Sequence, residues 1–278
     1  MKALVLQTDF GLGDGAVSAM EGVALGVDED IRIHHLTHEI TPYNIFEASY
    51  RLFQTVQYWP KGTVFVSVVD PGVGTSRKSE VAKTASGHYI ATPDNGTLTH
   101  ISKHIGIVEL REISEATNRL ANTEKSYTFH GRDVFVYTAA RLVSGTISYE
   151  EVGPKLDPST IHELPTYKTI VEPDYVQGAV DILDVRFGSL WTSIEMDDFA
   201  SLKPVYGEKY EVTIKNGSTI VYESLIEYQR SFGDVKIGSP IIYINSLYHV
   251  AVAINQGSFA KAYGIGVGQS WTIKIARK

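Results

Sequence analysis

The sequence predicts an α/β N-terminal domain with a mostly parallel central sheet, followed by a smaller all-β, barrel-like C-terminal domain. Three observations carry this prediction. Strand-like and helix-like apolar periods alternate through residues 1–150, a proline-dense stretch follows, and beyond it short strand-like runs recur without convincing helices between them. The expected division is 1–160 for the first domain, 161–173 for a Pro-rich linker and 174–278 for the second domain.

In the first half, Ala3–Leu6 is a short apolar run ending at Thr8-Asp9-Phe10-Gly11. Val17, Met20, Val23, Ala24 and Val27 then recur at three- and four-residue spacing, which predicts a helix. Ile31–Leu36 reads as a second strand. Ile45, Ala48, Leu52 and Val56 share one face of a helix that starts after Pro42 and stops before Pro60. Thr63–Val69 is a near-continuous β-branched run, as expected of a strand buried on both faces. Tyr89–Ala91, Ile107–Leu110 and a helix over Val134–Leu142 continue the alternation. Four of the ten prolines, Pro154, Pro158, Pro165 and Pro173, fall within twenty residues and interrupt ladders and helices alike. Strand-like runs then follow at Ala179–Val185, Tyr210–Ile214, Ile220–Tyr222, Ile241–Ile244, Val250–Ile254 and Trp271–Ile275. Asn216-Gly217 supplies a hairpin turn, because both residues tolerate positive φ.

Composition narrows the function. The chain has 278 residues, 43% of them hydrophobic, enough for a sizeable core and too many for disorder. The absence of cysteine excludes disulfides, cysteine-ligated metal and a thiol nucleophile. A net charge of −7 argues against broad binding to nucleic acid or anionic lipid. No apolar run approaches the roughly 20 residues of a membrane helix. The start, MKALVLQTDFGLGD, lacks a small-residue cleavage site, so a mature strand and a cytoplasmic protein are expected. There is no Walker loop and no nucleophile elbow, and Gly11-Leu12-Gly13-Asp14-Gly15 departs from the dinucleotide spacing. His34, His35 and His38 suggest a metal cluster. Neighbours on a strand point to opposite faces, however, and a polar strand end is the favoured reading.

Three strand-end motifs offer chemistry. Asp70-Pro71-Gly72-Val73-Gly74-Thr75-Ser76-Arg77 ends a buried strand in a carboxylate and returns a guanidinium seven residues later. That is either a loop salt bridge or part of a ligand site, since parallel sheets bind ligands at their carboxyl ends. Phe129-His130-Gly131-Arg132-Asp133 sets a histidine before a helix, and Thr8-Asp9-Phe10-Gly11 occupies the same kind of position after the first strand. In the second half, Asp184-Val185-Arg186-Phe187-Gly188-Ser189-Leu190-Trp191-Thr192 reads as a strand–turn–strand with aromatic core residues or as a ligand turn. Tyr243-Ile244-Asn245-Ser246 with Asn255-Gln256-Gly257-Ser258 reads as a plain hairpin or as a rim offering backbone groups to a planar base.

Together with Thr41-Pro42-Tyr43 and Pro93-Asp94-Asn95-Gly96, these motifs run over almost the whole chain. Their order and spacing resemble the S-adenosylmethionine hydroxide adenosyltransferase family, relatives of fluorinase and chlorinase. The resemblance implies hydrolysis of S-adenosylmethionine to adenosine and L-methionine by attack of water or hydroxide on C5′, with no cofactor and no metal. It also implies a homotrimer with sites shared between subunits. Carried over residue by residue, it assigns catalysis to Asp70, Arg77 and His130, the ribose to Asp9, and the ribose and methionine side of the ligand to Tyr43. Asp184 falls at the methionine amine. Phe187, Ser189 and Phe232 fall at the adenine pocket, and Asn255 to Ser258, Gly257 included, at a loop that reads the base. Ser189 stands where halogenating relatives carry asparagine, and Leu247 where they carry an arginine for the methionine carboxylate. That contact then falls to the backbone or Ser246. Tyr43 and Trp191 are expected to favour the sulfonium by cation–π contact. A carboxylate at position 70 repels a halide and hydrogen-bonds a water, which disfavours a halide-using adenosyltransferase. A non-catalytic adenosine or S-adenosylmethionine sensor is the other alternative, and it has no need of the trio.

Overall fold

The computed structural model describes residues 2–278 and divides into two compact units, 1–164 and 165–278. The first is built from β1 (Ala3–Thr8), α1 (Ala16–Val27), β2 (Arg32–Thr37), α2 (Ile45–Val56), β3 (Val64–Val68), β4 (Ser79–Thr84), β5 (Tyr89–Pro93), α3 (Thr99–His104), β6 (Ile107–Glu112), α4 (Glu115–Asn118), α5 (Tyr137–Ser144) and β7 (Lys155–Leu156). Its sheet has the order β2-β1-β3-β5-β4-β6-β7. β2, β1, β3, β5 and β6 run in one direction, and β4 and β7 oppose them. The sheet is therefore mostly parallel, with helices over it, as the alternating periods predict.

β1 and β3 are buried along their whole lengths and lie side by side. Leu4, Leu6, Val64, Val66 and Val68 pack against Val134, Phe135, Val136 and Ala139. Val134, Phe135 and Val136 come from one π-helical turn, Gly131–Val136, which runs directly into α5, the helix that carries Ala139. α2 starts at Asn44, whose side chain accepts the Glu47 N–H at 3.0 Å, a standard way to satisfy an orphan donor. β4 has no counterpart among the strand-like runs of the sequence. Its segment SEVAKT carries Glu80 and Lys83, and Glu80 is buried.

The second unit comprises β8 (Ile170–Val171), β9 (Tyr175–Leu183), β10 (Leu190–Glu195), α6 (Met196–Ala200), β11 (Lys209–Asn216), β12 (Thr219–Tyr228), β13 (Pro240–Ile244), β14 (His249–Ile254), α7 (Phe259–Tyr263) and β15 (Gly268–Ala276). The order β10-β14-β13-β12-β11-β15-β9 closes through a β9–β10 pairing, which makes a seven-stranded barrel with β8 added outside β9. Alternate burial along β11 puts Tyr210, Val212 and Ile214 into a core shared with Val180, Leu190, Phe199, Val252 and Phe259. The Asn216-Gly217 turn joins β11 to β12, with Gly217 at φ 58°. Two five-residue helices, α6 and α7, stand where the sequence shows no helical period. They are too short to establish one.

Glu80 gives the first unit a pH dependence. It is 1% exposed, and neither carboxyl oxygen has a hydrogen-bond partner among the described residues. Burial, reinforced by the nearby Asp94 carboxylate, pushes its pKa up to about 8. The folded protein therefore holds a proton that the unfolded chain has released above the ordinary carboxylate range. Stability falls as pH rises from about 4.5 to about 8, and the loss is complete above that. Glu80→Gln stays neutral throughout. Its stability relative to wild type should rise across that window by an amount on the order of a few kcal/mol. Urea unfolding at pH 4.5 and pH 8 measures the change, and a difference independent of pH would contradict it.

Candidate active site

Register brings two carboxylates together. Thr8 of β1 is aligned with Val68 of β3, so Asp9 and Asp70 emerge next to one another at the carboxyl ends of adjacent parallel strands. The chain passes from β1 through α1 to β2 on one side, then returns through α2 to β3 on the other. This is the point in an α/β sheet where a crevice opens. Each loop is tied down. Asn95 Nδ2 donates to Val69 O at 2.9 Å, fixing the end of the third strand from the Pro93–Gly96 turn. Tyr43, at φ 68°, donates its backbone N–H to Asp9 Oδ2 at 2.9 Å.

The loop after β3 curls back through Val73 N–H to Asp70 O, 3.2 Å, and Thr75 N–H to Gly72 O, 3.1 Å, and so returns Arg77 to Asp70. Arg77 Nε donates to Asp70 Oδ1 at 3.0 Å, and Nη2 donates to Oδ2. Nη1 donates to Ser79 Oγ at 2.9 Å, and the guanidinium lies 5.4 Å from the Phe135 ring centroid. The two charged side chains are 4% and 11% exposed. A shielded pair of this kind persists only when its donors and acceptors are matched, and the two-point fork does this. His130 Nδ1 lies 3.4 Å from Arg77 Nη2, and its Nε2 is buried without a partner among the described residues. Burial holds the ring below the ordinary imidazole range, so it is neutral at pH 7. With Nδ1 turned towards a guanidinium N–H, the ring proton belongs on Nε2.

Asp9, Tyr43, Asp70 and His130 line a single cavity of about 340 Å³, together with Phe10, Pro42, Val68, Val73, Thr128, Phe129 and Gly131. Arg77 is absent from that lining and backs Asp70 instead. Phe10 and Phe129 meet edge to face at 5.8 Å and make much of the wall apolar. Sequence reasoning missed Ser79 and Phe135, which hold Arg77. The i, i+2 spacing of Arg77 and Ser79 was the one available hint.

In the barrel unit, Phe187, Ser189, Phe232, Asn255 and Gly257 line a second cavity of about 530 Å³, with Arg186, Ile254, Gln256 and Ser258. Two large rings stand exposed beside it, Phe187 at 71% and Phe232 at 41%. Phe232 packs at 4.9 Å against Tyr243. Gly188, at φ 65°, presses on Ser258, where any Cβ would collide with the hydroxyl. Asn255 Nδ2 is committed to Val235 O at 2.9 Å, and Gly257 N–H to Ile254 O at 3.0 Å. Asp184, Trp191 and Ser246 do not line this cavity. Asp184 Oδ1 accepts from Arg186 N and Phe187 N at 3.0 and 3.1 Å, Trp191 is 7% exposed within the barrel wall, and Ser246 is exposed in the turn before β14. Arg186 lines the cavity although the sequence offered no reason to single it out. Among the described residues no group of three or more His, Asp or Glu side chains is placed to hold a metal ion, and no helix is long and apolar enough to cross a membrane.

Comparison with known proteins agrees over both units. The profile of the SAM hydroxide adenosyltransferase N-terminal domain matches residues 4–153, and that of the C-terminal domain matches 178–272. The chain is 33% identical over 263 residues to an (R)-S-adenosyl-L-methionine hydrolase of Salinispora tropica, covering 94% of this chain and 93% of the relative. It is 26% identical to a fluorinase of Actinopolyspora mzabensis, covering 99% and 97%. The crystal structure of an uncharacterized conserved protein from Thermotoga maritima superposes with a TM-score of 0.89 at 34% identity, covering 99% of this chain and 100% of that one. With both of its domains matched in order along one chain, this protein belongs to the SAM hydroxide adenosyltransferase family of enzymes.

Proposed function

We propose that the enzyme hydrolyses S-adenosyl-L-methionine to adenosine and L-methionine, with no cofactor. The observation that carries this reading is the buried Asp70–Arg77 pair, beside His130, in the wall of a cavity that Asp9 and Tyr43 also line. A sulfonium is a good leaving group, so the protein's task is to hold one dry, aligned water behind C5′. Such alignment is worth on the order of 7–11 kcal/mol in favourable cases. The water oxygen bonds to C5′ as the C5′–S bond breaks, and the bonding pair leaves on sulfur as the neutral thioether of methionine. The oxygen is then an oxonium, a very strong acid, so even a weak carboxylate base takes its extra proton. Asp70 is that acceptor and passes the proton to solvent. It lines the cavity and keeps lone pairs beyond those Arg77 uses. Arg77 acts through Asp70 by fixing its plane. His130, its ring neutral, stands beside the pair and forms part of the cavity wall.

Asp9 takes the ribose hydroxyls and Tyr43 covers the ribose. In the barrel unit, Phe187 and Phe232 take the adenine between them, with Ser189 and the Asn255–Ser258 loop at its edge. Asp184 and Ser246 are assigned to the methionine end. The proposal includes a homotrimer in which the first unit of one subunit and the barrel of the next complete one site, and a cytoplasmic location. A carboxylate facing the nucleophile position supports water over halide.

Chromatography after incubation with S-adenosylmethionine should show adenosine and methionine in equal amounts, with no dependence on added halide. Tight adenosine binding without turnover would favour a sensor. Asp70→Asn should lower kcat by at least about 100-fold while leaving adenosine affinity nearly unchanged. Unchanged turnover would exclude Asp70 as proton acceptor. Phe232→Ala should weaken adenosine about 5- to 150-fold, the range of a lost stacking face, as calorimetry on the folded variant would measure. Light scattering should give about three times the 30.7 kDa chain mass. A fully active monomer would rule out the shared site.

A further inference from the structure

The histidines at the end of β2 form a chain of hydrogen bonds that leads to the Asp9 turn. Thr8 Oγ1 lies 2.8 Å from His38 Nδ1, His38 Nε2 lies 2.8 Å from His35 Nδ1, and His35 Nε2 lies 3.2 Å from Glu21 Oε1 on α1. On a regular strand, residues three apart point to opposite faces. Here the register steps from Leu6↔His35 to Gln7↔Thr37, so Leu36 is an extra residue on β2. A bulge of this kind re-aims the side chains beyond it, and it brings the His35 and His38 rings together at 4.9 Å.

The proton positions follow from the open end of the chain. An ionised Glu21 only accepts, so His35 carries its proton on Nε2. In neutral rings Nδ1 of His35 is then bare, His38 must donate from Nε2, and Nδ1 of His38 is bare in turn. Thr8 therefore donates its hydroxyl hydrogen to His38 and keeps a lone pair for Phe10 N–H, 3.2 Å away. Burial of His38, with His35 adjacent, pushes its pKa down to about 4, which keeps that ring neutral. His38 also accepts the Gly11 N–H at its own carbonyl, 2.8 Å. One residue thus grips the turn at both ends, and between the two grips lie Asp9 and Phe10, both in the cavity lining.

We propose that His38 is a positioning residue for the nucleoside end of the site: through the Thr8 hydroxyl and the Gly11 N–H it fixes the turn that presents Asp9, and His35 and Glu21 fix its tautomer. This rests on Asp9 holding the ribose. Loss of the grip is felt in binding, because Asp70, Arg77 and His130 are held by other contacts.

The test compares His38→Leu, Thr8→Val, the double variant, His38→Asn and Asp9→Asn, reading adenosine affinity by calorimetry and kcat and KM with S-adenosylmethionine. His38→Leu and Thr8→Val should each weaken adenosine and raise KM about tenfold, with kcat changed less than about threefold. The double variant should be no worse than the more impaired single one, because both remove the same link. His38→Asn, whose Oδ1 replaces the bare Nδ1 as acceptor, should recover most of the affinity. Should His38→Leu fail to fold, Thr8→Val carries the test. Multiplying losses in the double variant, a fall in kcat at constant KM, or an asparagine variant no better than leucine would each overturn the proposal. If Asp9→Asn weakens adenosine and His38→Leu does not, the positioning role alone is wrong. If Asp9→Asn leaves adenosine binding intact, the ribose assignment fails and the positioning role fails with it.

Discussion

The site depends on one ion pair held out of water. Asp70 and Arg77 meet at the carboxyl end of a strand buried on both faces, and neither charge has enough solvent to stand alone. Removing one partner of such a pair typically costs about 3–5 kcal/mol, because the other is left uncompensated. The surroundings are arranged accordingly. Ser79 takes the spare guanidinium donor, Phe135 lies under the guanidinium, and Asn95 fixes the strand end through Val69 O. The pair presents the Asp70 carboxylate to the cavity in a fixed plane, with its positive partner behind it.

The two units carry cavities of different chemistry. The α/β unit offers carboxylates and a neutral imidazole at its strand ends, the groups suited to hydroxyls and water. The barrel unit offers exposed rings and a tight loop, suited to a flat base. Those rings are anchored from behind, Phe232 by Tyr243 and the Phe187 turn by Asp184 and Ser258. Asp184 therefore belongs to the support of the barrel cavity and not to its lining.

Much of this was legible in the sequence, for identifiable reasons. Buried parallel strands write continuous β-branched runs, as Thr63–Val69 does, and barrel strands write alternation, as Lys209–Asn216 does. The strand-end motifs named the cavity residues because loops at the carboxyl ends of strands must carry the ligand chemistry. β4 was hidden because Glu80 and Lys83 break its apolar pattern, and a protonated, buried glutamate looks like a surface residue. The helices α6 and α7 were too short to show a period. The His35–His38 contact was hidden by a bulge: face parity separates residues three apart, and nothing in His34-His35-Leu36-Thr37-His38 announces the extra residue. That Arg77 stands behind Asp70 rather than in the cavity is likewise a matter of loop curvature, which spacing alone does not encode.

The central claim is that the cavity beside Asp70 delivers a water oxygen to C5′ of a sulfonium nucleoside. Turnover of S-adenosylmethionine in water enriched in oxygen-18, followed by mass spectrometry of both products, tests it most directly. The account predicts one labelled oxygen in adenosine, at the 5′ position, and unlabelled methionine in equal amount. Formation of methylthioadenosine or free adenine in place of labelled adenosine, or no turnover by a protein that binds adenosine, would contradict it.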